Sequence, residues 1–499
     1  MPKQPNKAIN KCKSSESSSA IYHTYLLSLE VENVLCFKEP QVLDLSDGKG
    51  NYAKWTVILG NNGVGKTTLL RCLAMLEKQE ESGYPLPALM SILSDQNSRS
   101  ISKNNLIWEE LSIIHASPSR IIAQTQVRES SNTTDDHFNT QIHMSFGNPY
   151  TLDMSFENEN ETLSEILSQE DYRIFYDAKK NTEEYKKVNL RIYAKFLDNL
   201  HCYGYGATRK NGKEIQGEAI ASKNSASLFS DDVTLMNAEA WLRETDYAFK
   251  SSTGETQNRL KKKFDHIIEI LKSILPDIDD IRISPADKER PRPRAEFLTP
   301  YGWVKLSSLG LGYRTTIAWI VDLAVRLFER YPESEDPLAE PAIVLVDEID
   351  LHMHPTWQRT IMKFLTERFP NTQFIVTAHS PLVVQAAQDA NIVLLRREGD
   401  HVVIDNDPEI IENWRVDQVL TSVFEMPSAR PAKIEPWLKR RQEILTKAKI
   451  TQSERVELKE LEAKIGTLPT AETSEDIRAM DILRRAAKLL DKSGTGAVE

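Results

Sequence analysis

A chain of 499 residues can hold one large domain with insertions or two to three smaller ones, and 40% hydrophobic with 27% charged residues is an ordinary globular balance. No apolar run of about 18 residues occurs, which excludes a membrane-spanning helix, and the polar start lacks the apolar core of a secretory leader. The formal net charge of -11 disfavours a whole-surface attraction to nucleic acid, and four scattered cysteines (Cys12, Cys36, Cys72, Cys202) without a C-x-x-C pair fit a reducing cytoplasm better than a metal or disulfide framework.

In chain order, residues 1–20 read as a disordered tail. YLLSLEVENVLCF and VLDLS alternate in the strand manner, and WTVIL (Trp55–Leu59) reads as a buried strand. It runs straight into GNNGVGKT, after which TLLRCLAMLEKQ has helical periodicity. RIIAQTQVR and TQIHMSF are short strands, and the stretch from Glu161 to about Leu200 turns charged and helical. A core strand returns near 191–209 and ends in GYGATR. NAEAWLRETDYAFK and RLKKKFDHIIEILKSIL are amphipathic helices, and RPRPR is an extended break. AEFLTPYGWVKLSSLGLGYR predicts a hairpin leading into the long helix TTIAWIVDLAVRLFER. AIVLV and TQFIVTAHS are further buried strands around a helix, TWQRTIMKFLTERF. Beyond about Asn413 three charged helices are expected, the second opened by the capping-box pattern Thr451-Gln-Ser-Glu454. Buried strands alternating with helices imply an α/β fold with parallel strands.

Three motifs carry chemistry. Gly60-Asn61-Asn62-Gly63-Val64-Gly65-Lys66-Thr67 matches G-x-x-x-x-G-K-[ST] between a strand and a helix, the context a phosphate loop requires. Its backbone N–H groups and the following helix N-terminus would cradle phosphates, with Thr68 completing the first turn. Lys66 would reach the β- and γ-phosphates, and the Thr67 hydroxyl would ligate Mg²⁺. Asp347-Glu348 closes the strand AIVLV, where ligand sites gather on parallel sheets. Asp347 is expected to hold Mg²⁺, and Glu348 to orient and polarise the attacking water. His379 ends the next strand and is expected at the γ-phosphate or at that water. His352 and His354 are spaced for a metal but have no third ligand, so a loop role is favoured.

The order of these motifs resembles the ABC-type ATPases of the SMC and RecF class. That resemblance implies an ATPase head with a mixed β-sheet core flanked by helices, a helical insertion and a helical C-terminal extension. It also implies a signature segment that reaches the ATP of a second copy. The matching segment is Leu309-Gly310-Leu311-Gly312-Tyr313-Arg314, standing where the class often has L-S-G-G-Q-R. Gly310 takes the serine position, so the hydroxyl contact comes from Ser307 or Ser308 or is absent, and Ser308, Gly310 and Gly312 are expected nucleotide contacts. Asp350 falls at the class's dimer-contacting loop, and its Mg²⁺-sensing glutamine would be Gln124 or Gln126. Over most of the chain GYGATR, NAEAWL, DEIDLHMHP, TAHSP and WRVDQVLTSVFEMPSAR are more specifically similar to the ATPase subunits of Septu anti-phage systems, the PtuA family. In that family the ATPase pairs with a separate HNH nuclease, PtuB, sometimes beside a retron reverse transcriptase and its RNA/DNA.

These readings divide the chain into an N-terminal half of the head (21–150), a largely helical insertion (151–290), a C-terminal half of the head (291–412) and a helical assembly or partner-docking region (413–499). One phosphate loop and one signature per chain predict a head-to-tail homodimer or higher oligomer closing around ATP and Mg²⁺. The expected function is a cytoplasmic defence ATPase controlling an HNH nuclease, with no nuclease activity of its own. The alternative is a RecF-like DNA-repair clamp, for which Lys261-Lys262-Lys263 and RPRPR are the candidate nucleic-acid contacts.

Overall fold

The computed structural model describes residues 22–77, 119–129, 137–146, 151–156, 200–212, 224–275, 277–286, 288, 291–387, 389–408, 415–424, 426, 432–447 and 450–465. The expected N-terminal tail, the helical stretch from Glu161, Arg290, Trp414 and the last of the three C-terminal helices lie outside these residues. The chain forms two compact units, Met1–Val416 and Asp417–Glu499.

In the first unit, among the described residues, a six-stranded sheet carries the motifs. Its strands are β3 (Trp55–Gly60), β7 (Cys202–Tyr205), β11 (Ala342–Val346), β12 (Thr372–Thr377), β13 (Asn391–Glu398) and β14 (His401–Asp405), in the order β14-β13-β3-β12-β11-β7. All neighbours are parallel except the edge pair β13–β14. β3, β7, β11 and β12 are buried throughout, which explains why their apolar residues follow one another, without a break in β11, rather than alternating with exposed polar ones.

A second sheet is antiparallel, in the order β2-β1-β4-β5-β6. It comprises β1 (Tyr22–Glu32), β2 (Gln41–Asp44), β4 (Ser119–Glu129), β5 (His137–Phe146) and β6 (Thr151–Phe156). β6 lies where the sequence predicts the opening of a helical insertion. Leu152, Met154 and Phe156 alternate there with polar residues, a period of two that a strand satisfies. The β1–β4 register shifts between Leu26 and Ser28. At that irregularity the buried Gln373 of β12 accepts from Leu26 N–H (2.9 Å) and donates to Leu26 O (2.7 Å), which joins the two sheets. A third sheet, β10-β9-β8, is built from β8 (Asp280–Ser284) and the predicted hairpin β9 (Arg294–Thr299) and β10 (Gly302–Lys305).

Helices flank the central sheet. α1 (Lys66–Ala74) leaves the phosphate loop, α2 (Ala238–Ser251) and α3 (Gly254–Ile274) are the predicted amphipathic pair, and α4 (Leu311–Arg330) is the long helix after the hairpin. The single helix expected over TWQRTIMKFLTERF is instead two, α5 (Pro355–Gln358) and α6 (Ile361–Arg368). Between them Thr360 N–H donates to Trp357 O (2.9 Å), a tighter turn that interrupts the α-helical ladder. α4 is almost wholly buried from Thr315 to Phe328, and Trp319 packs at 5.6 Å on the Tyr205 ring of β7. Asp322, fully buried on α4, accepts from Tyr205 OH (3.1 Å), Met236 N–H (2.9 Å) and Arg326 Nε (2.6 Å), so its charge is paired and hydrogen-bonded.

The second unit contains the helices Glu435–Leu445 and Gln452–Ile465. Arg440 forks onto both Glu457 oxygens (2.8 and 2.9 Å). Thr451 and Glu454 form the predicted capping box, with Thr451 N–H donating to Glu454 (2.9 Å) and Glu454 N–H to Thr451 Oγ1 (3.3 Å).

Candidate nucleotide-binding site

Because β3, β12, β11 and β7 run parallel, their carboxyl ends share one sheet edge. Ile58 pairs with Thr377, and Val346 with Val376 and Tyr205. The phosphate loop, His379, Asp347-Glu348 and the GYGATR segment each leave one of these strands, so the fold collects what is scattered in sequence.

Gly65 is the residue before α1 and has φ +87, a conformation L side chains rarely adopt. A Cβ there would also meet Cys36 Sγ at 2.5 Å and the Phe37 ring at 2.9 Å, so only glycine fits. Asn61, Asn62 and Gly63 are exposed at the loop's crest, while Val64, Lys66 and Thr68 are buried. Lys66 Nζ donates to the carbonyls of Gly60 and Asn61, both at 2.9 Å. Burial lowers its pKa from the usual lysine value, and Asp347, Glu348 and Asp350 oppose that shift.

Thr67 and Asp347 meet directly: Thr67 Oγ1 donates to Asp347 Oδ2 at 2.7 Å. The other Asp347 oxygen accepts from Thr377 Oγ1 at 2.6 Å. Thr377 in turn accepts Glu348 N–H at 2.7 Å, so one hydroxyl serves both acidic residues. Glu348 has φ +49, in the left-handed region. Asp350 Oδ2 accepts His379 N–H at 3.1 Å, while its Oδ1 is buried with no hydrogen-bond partner among the described residues. The half-buried His379 has its pKa lowered by burial and then by Lys66, with Asp350, Glu348 and Asp347 pulling the other way. A hydroxyl and a carboxylate 2.7 Å apart beside a buried lysine form a donor set that fits a hard divalent cation bound with phosphates.

The signature segment starts α4 with Gly310 at the cap position, and Ser308, Gly310 and Leu311 are exposed. Gly312 presses on the turn after Glu348: a Cβ on it would lie 2.2 Å from His352 O. Tyr313 packs edge-on against Trp357 (4.6 Å). His354 Nδ1 accepts Thr356 N–H (3.4 Å) and caps α5, a loop role. Of the two glutamines, Gln126 is fully buried, donates to Gly50 O (3.1 Å) and accepts from Arg128 (3.1 Å). Gln124 sits in the middle of β4, opposite Ser28 and Gln141, on the antiparallel sheet rather than at the motif-bearing edge. In the basic run on α3, Lys262 stays exposed and donates from Nζ to Glu335 O (2.7 Å), while the half-buried Lys263 lies over the Phe328 ring (5.5 Å).

Two residues of this site have no role that the sequence alone suggests. Thr377 ends β12, two places before His379, a cue visible only once both Asp347 and Glu348 are placed beside it. Arg209 ends GYGATR and is 2% exposed, and its guanidinium donates to the carbonyls of Asp347 (3.0 Å) and Glu348.

The AAA ATPase domain family matches residues 25–384 of the chain. Among curated proteins, the Retron Vc95 probable ATPase of Vibrio cholerae serotype O1 biovar El Tor is 27% identical over 376 residues, 68% of each chain. The Septu protein PtuA of Bacillus mycoides is 23% identical over 404 residues, covering 80% of this chain and 44% of that protein. Among solved structures, the SMC head bound to the C-winged helix domain of ScpA aligns over 76% of this chain and 97% of its own at 14% identity, with a TM-score of 0.39.

Proposed function

Because the chain belongs to the AAA ATPase domain family, we propose that Gly60–Thr68, Asp347, Glu348 and His379 form a Mg²⁺–ATP site completed by the signature segment of a second copy. The 2.7 Å contact between Thr67 and Asp347 carries this reading, since it unites a phosphate-loop hydroxyl with the acidic strand end. Bound Mg²⁺ would neutralise phosphate charge and Lys66 would cradle the terminal phosphates. Thr67 and Asp347 would hold the ion. Glu348 orients a water molecule and takes its proton as the water oxygen bonds to the γ-phosphorus and the bond to the ADP oxygen breaks. His379, held by Asp350, faces the same phosphate. Ser308 and Gly310, exposed at the start of α4, would meet the nucleotide of the other copy together with Gly312, which is half-buried against His352.

The similarity to a retron ATPase and to PtuA supports a place in anti-phage defence. There the ATP-closed dimer would govern a separate HNH nuclease, with or without a reverse transcriptase. Nucleotide then acts by binding the closed dimer better than the open form. Light scattering tests the scheme. Glu348→Gln is expected to double in mass with ATP and to stay doubled, while Lys66→Ala neither binds nucleotide nor changes mass. An unchanged mass for Glu348→Gln in saturating ATP would rule out ATP-driven closure.

A further inference from the structure

Arg209 is a cation with almost no solvent contact, which is costly unless something compensates for it. It makes no hydrogen bond to a carboxylate among the described residues. Its Nη2 serves two main-chain carbonyls, those of Asp347 (3.0 Å) and Glu348, and its Nε is buried with no hydrogen-bond partner among the described residues. Asp347, Asp350 and Glu348 all act on it electrostatically. Burial nevertheless lowers its pKa to about 10, so it stays charged at neutral pH. Both partners of the contact are bent into the left-handed region, Arg209 at φ +35 and Glu348 at φ +49, without being glycine. Residues held there persist only where their surroundings over-determine them.

We propose that Arg209 is a positioning residue for hydrolysis, locking the Asp347–Glu348 peptide from behind so that the Glu348 carboxylate projects towards the attacking water. This rests on the role of Glu348 proposed for hydrolysis. Two clamps hold that peptide, Arg209 on its carbonyls and Thr377 Oγ1 on the Glu348 N–H. A planar guanidinium can span two carbonyls from one nitrogen face, whereas a lysine ammonium presents a compact point charge on a different stem. Arg209 makes no hydrogen bond to the loop of residues 60–67 among the described residues, and the strand before that loop, β3, is fixed by its pairing with β12 and β13.

The test separates binding from turnover in the full-length protein. Arg209→Lys and Arg209→Gln are compared with Glu348→Gln for equilibrium binding of a fluorescent ATP analogue and for single-turnover hydrolysis of ATP. Arg209→Lys is expected to hydrolyse about 100-fold more slowly, the scale of a small misplacement of a catalytic group. Its ATP affinity should stay within about twofold of the parent, the mark of an interaction felt only beyond the ground state. Arg209→Gln should be slower still, with the lysine variant as partial rescue. In the Glu348→Gln background, Arg209→Lys should add nothing, because it acts through the group already removed. Parental turnover in Arg209→Lys, parallel loss of affinity and turnover in both Arg209 variants, or an additive double variant would each overturn the positioning role. Parental turnover in Glu348→Gln would overturn the reading of Glu348 itself, and the proposal with it.

Discussion

Around Lys66 the site gathers Arg209, Asp347, Glu348, Asp350 and His379, and the shifts of its basic groups share one leading cause, burial. The consequence is testable at His379. Its pKa lies below the usual 6.5, so the folded ring is neutral at pH 7. The unfolded chain takes up the proton more readily, so the stability this residue supports is present above about 6.5 and is lost as pH falls through the folded value. An NMR titration with ring-labelled histidine should find the His379 midpoint below 6.5. Lys66→Met should move it upward, since Lys66 is the second cause of the depression. A midpoint at or above 6.5 in the parent would contradict the burial argument. The cysteines near the loop answer to burial too: Cys36, against Gly65, is raised and Cys72, on the buried face of α1, is pushed up to about 12, so both remain neutral thiols.

At the scale of elements, the start of α4 holds two glycines with opposite demands. Gly310 occupies the cap position with φ −56 and ψ 158, and a Cβ on it would meet only the Tyr313 ring at 3.8 Å. Gly310→Ser therefore fits, offers a better helix cap by a few tenths of a kcal/mol, and restores the hydroxyl that the related class carries. It should leave the melting temperature unchanged or slightly raised and tighten the proposed ATP-dependent dimer. Gly312→Ala drives a methyl group into a main-chain oxygen and should cost about 1–3 kcal/mol, as overpacking does. Thermal melts and ATP-dependent light scattering of the two variants check the contrast, and a melt unchanged in Gly312→Ala would show that the His352 turn yields freely. The phosphate loop, the acidic strand end and the hairpin before α4 are legible in the sequence because each is a local pattern of glycine, charge and apolar runs. Arg209, Thr377 and the close seat of Gly312 on His352 are not, since each depends on which strands become neighbours. β6 escapes a sequence reading because its alternation is short and lies beside charged sequence that reads as helix.

For the whole molecule, among the described residues no group of three or more His, Cys, Asp or Glu could hold a metal ion, and no helix is long and apolar enough to cross a membrane. We expect the purified chain, given Mg²⁺ or Mn²⁺ and ATP, to leave plasmid and RNA intact. A tagged copy recovered from its host should bring a small HNH protein with it. Cleavage that persists in Asp347→Ala would place nuclease activity in this chain, and recovery with replication or repair proteins instead would favour the DNA-clamp alternative. The order of the central sheet has a further bearing on how such a protein comes into being. β3 pairs only with strands made much later, Trp55–Ile58 with Phe374–Thr377 and Thr56–Gly60 with Asn391–Leu395. At about 5–20 residues per second, a ribosome releases the phosphate loop tens of seconds before the strands that shape it. A half-made chain thus has a glycine loop whose strand lacks both of its sheet partners. For a subunit proposed to command a nuclease, the order of synthesis would act as a built-in delay before the nucleotide site can assemble.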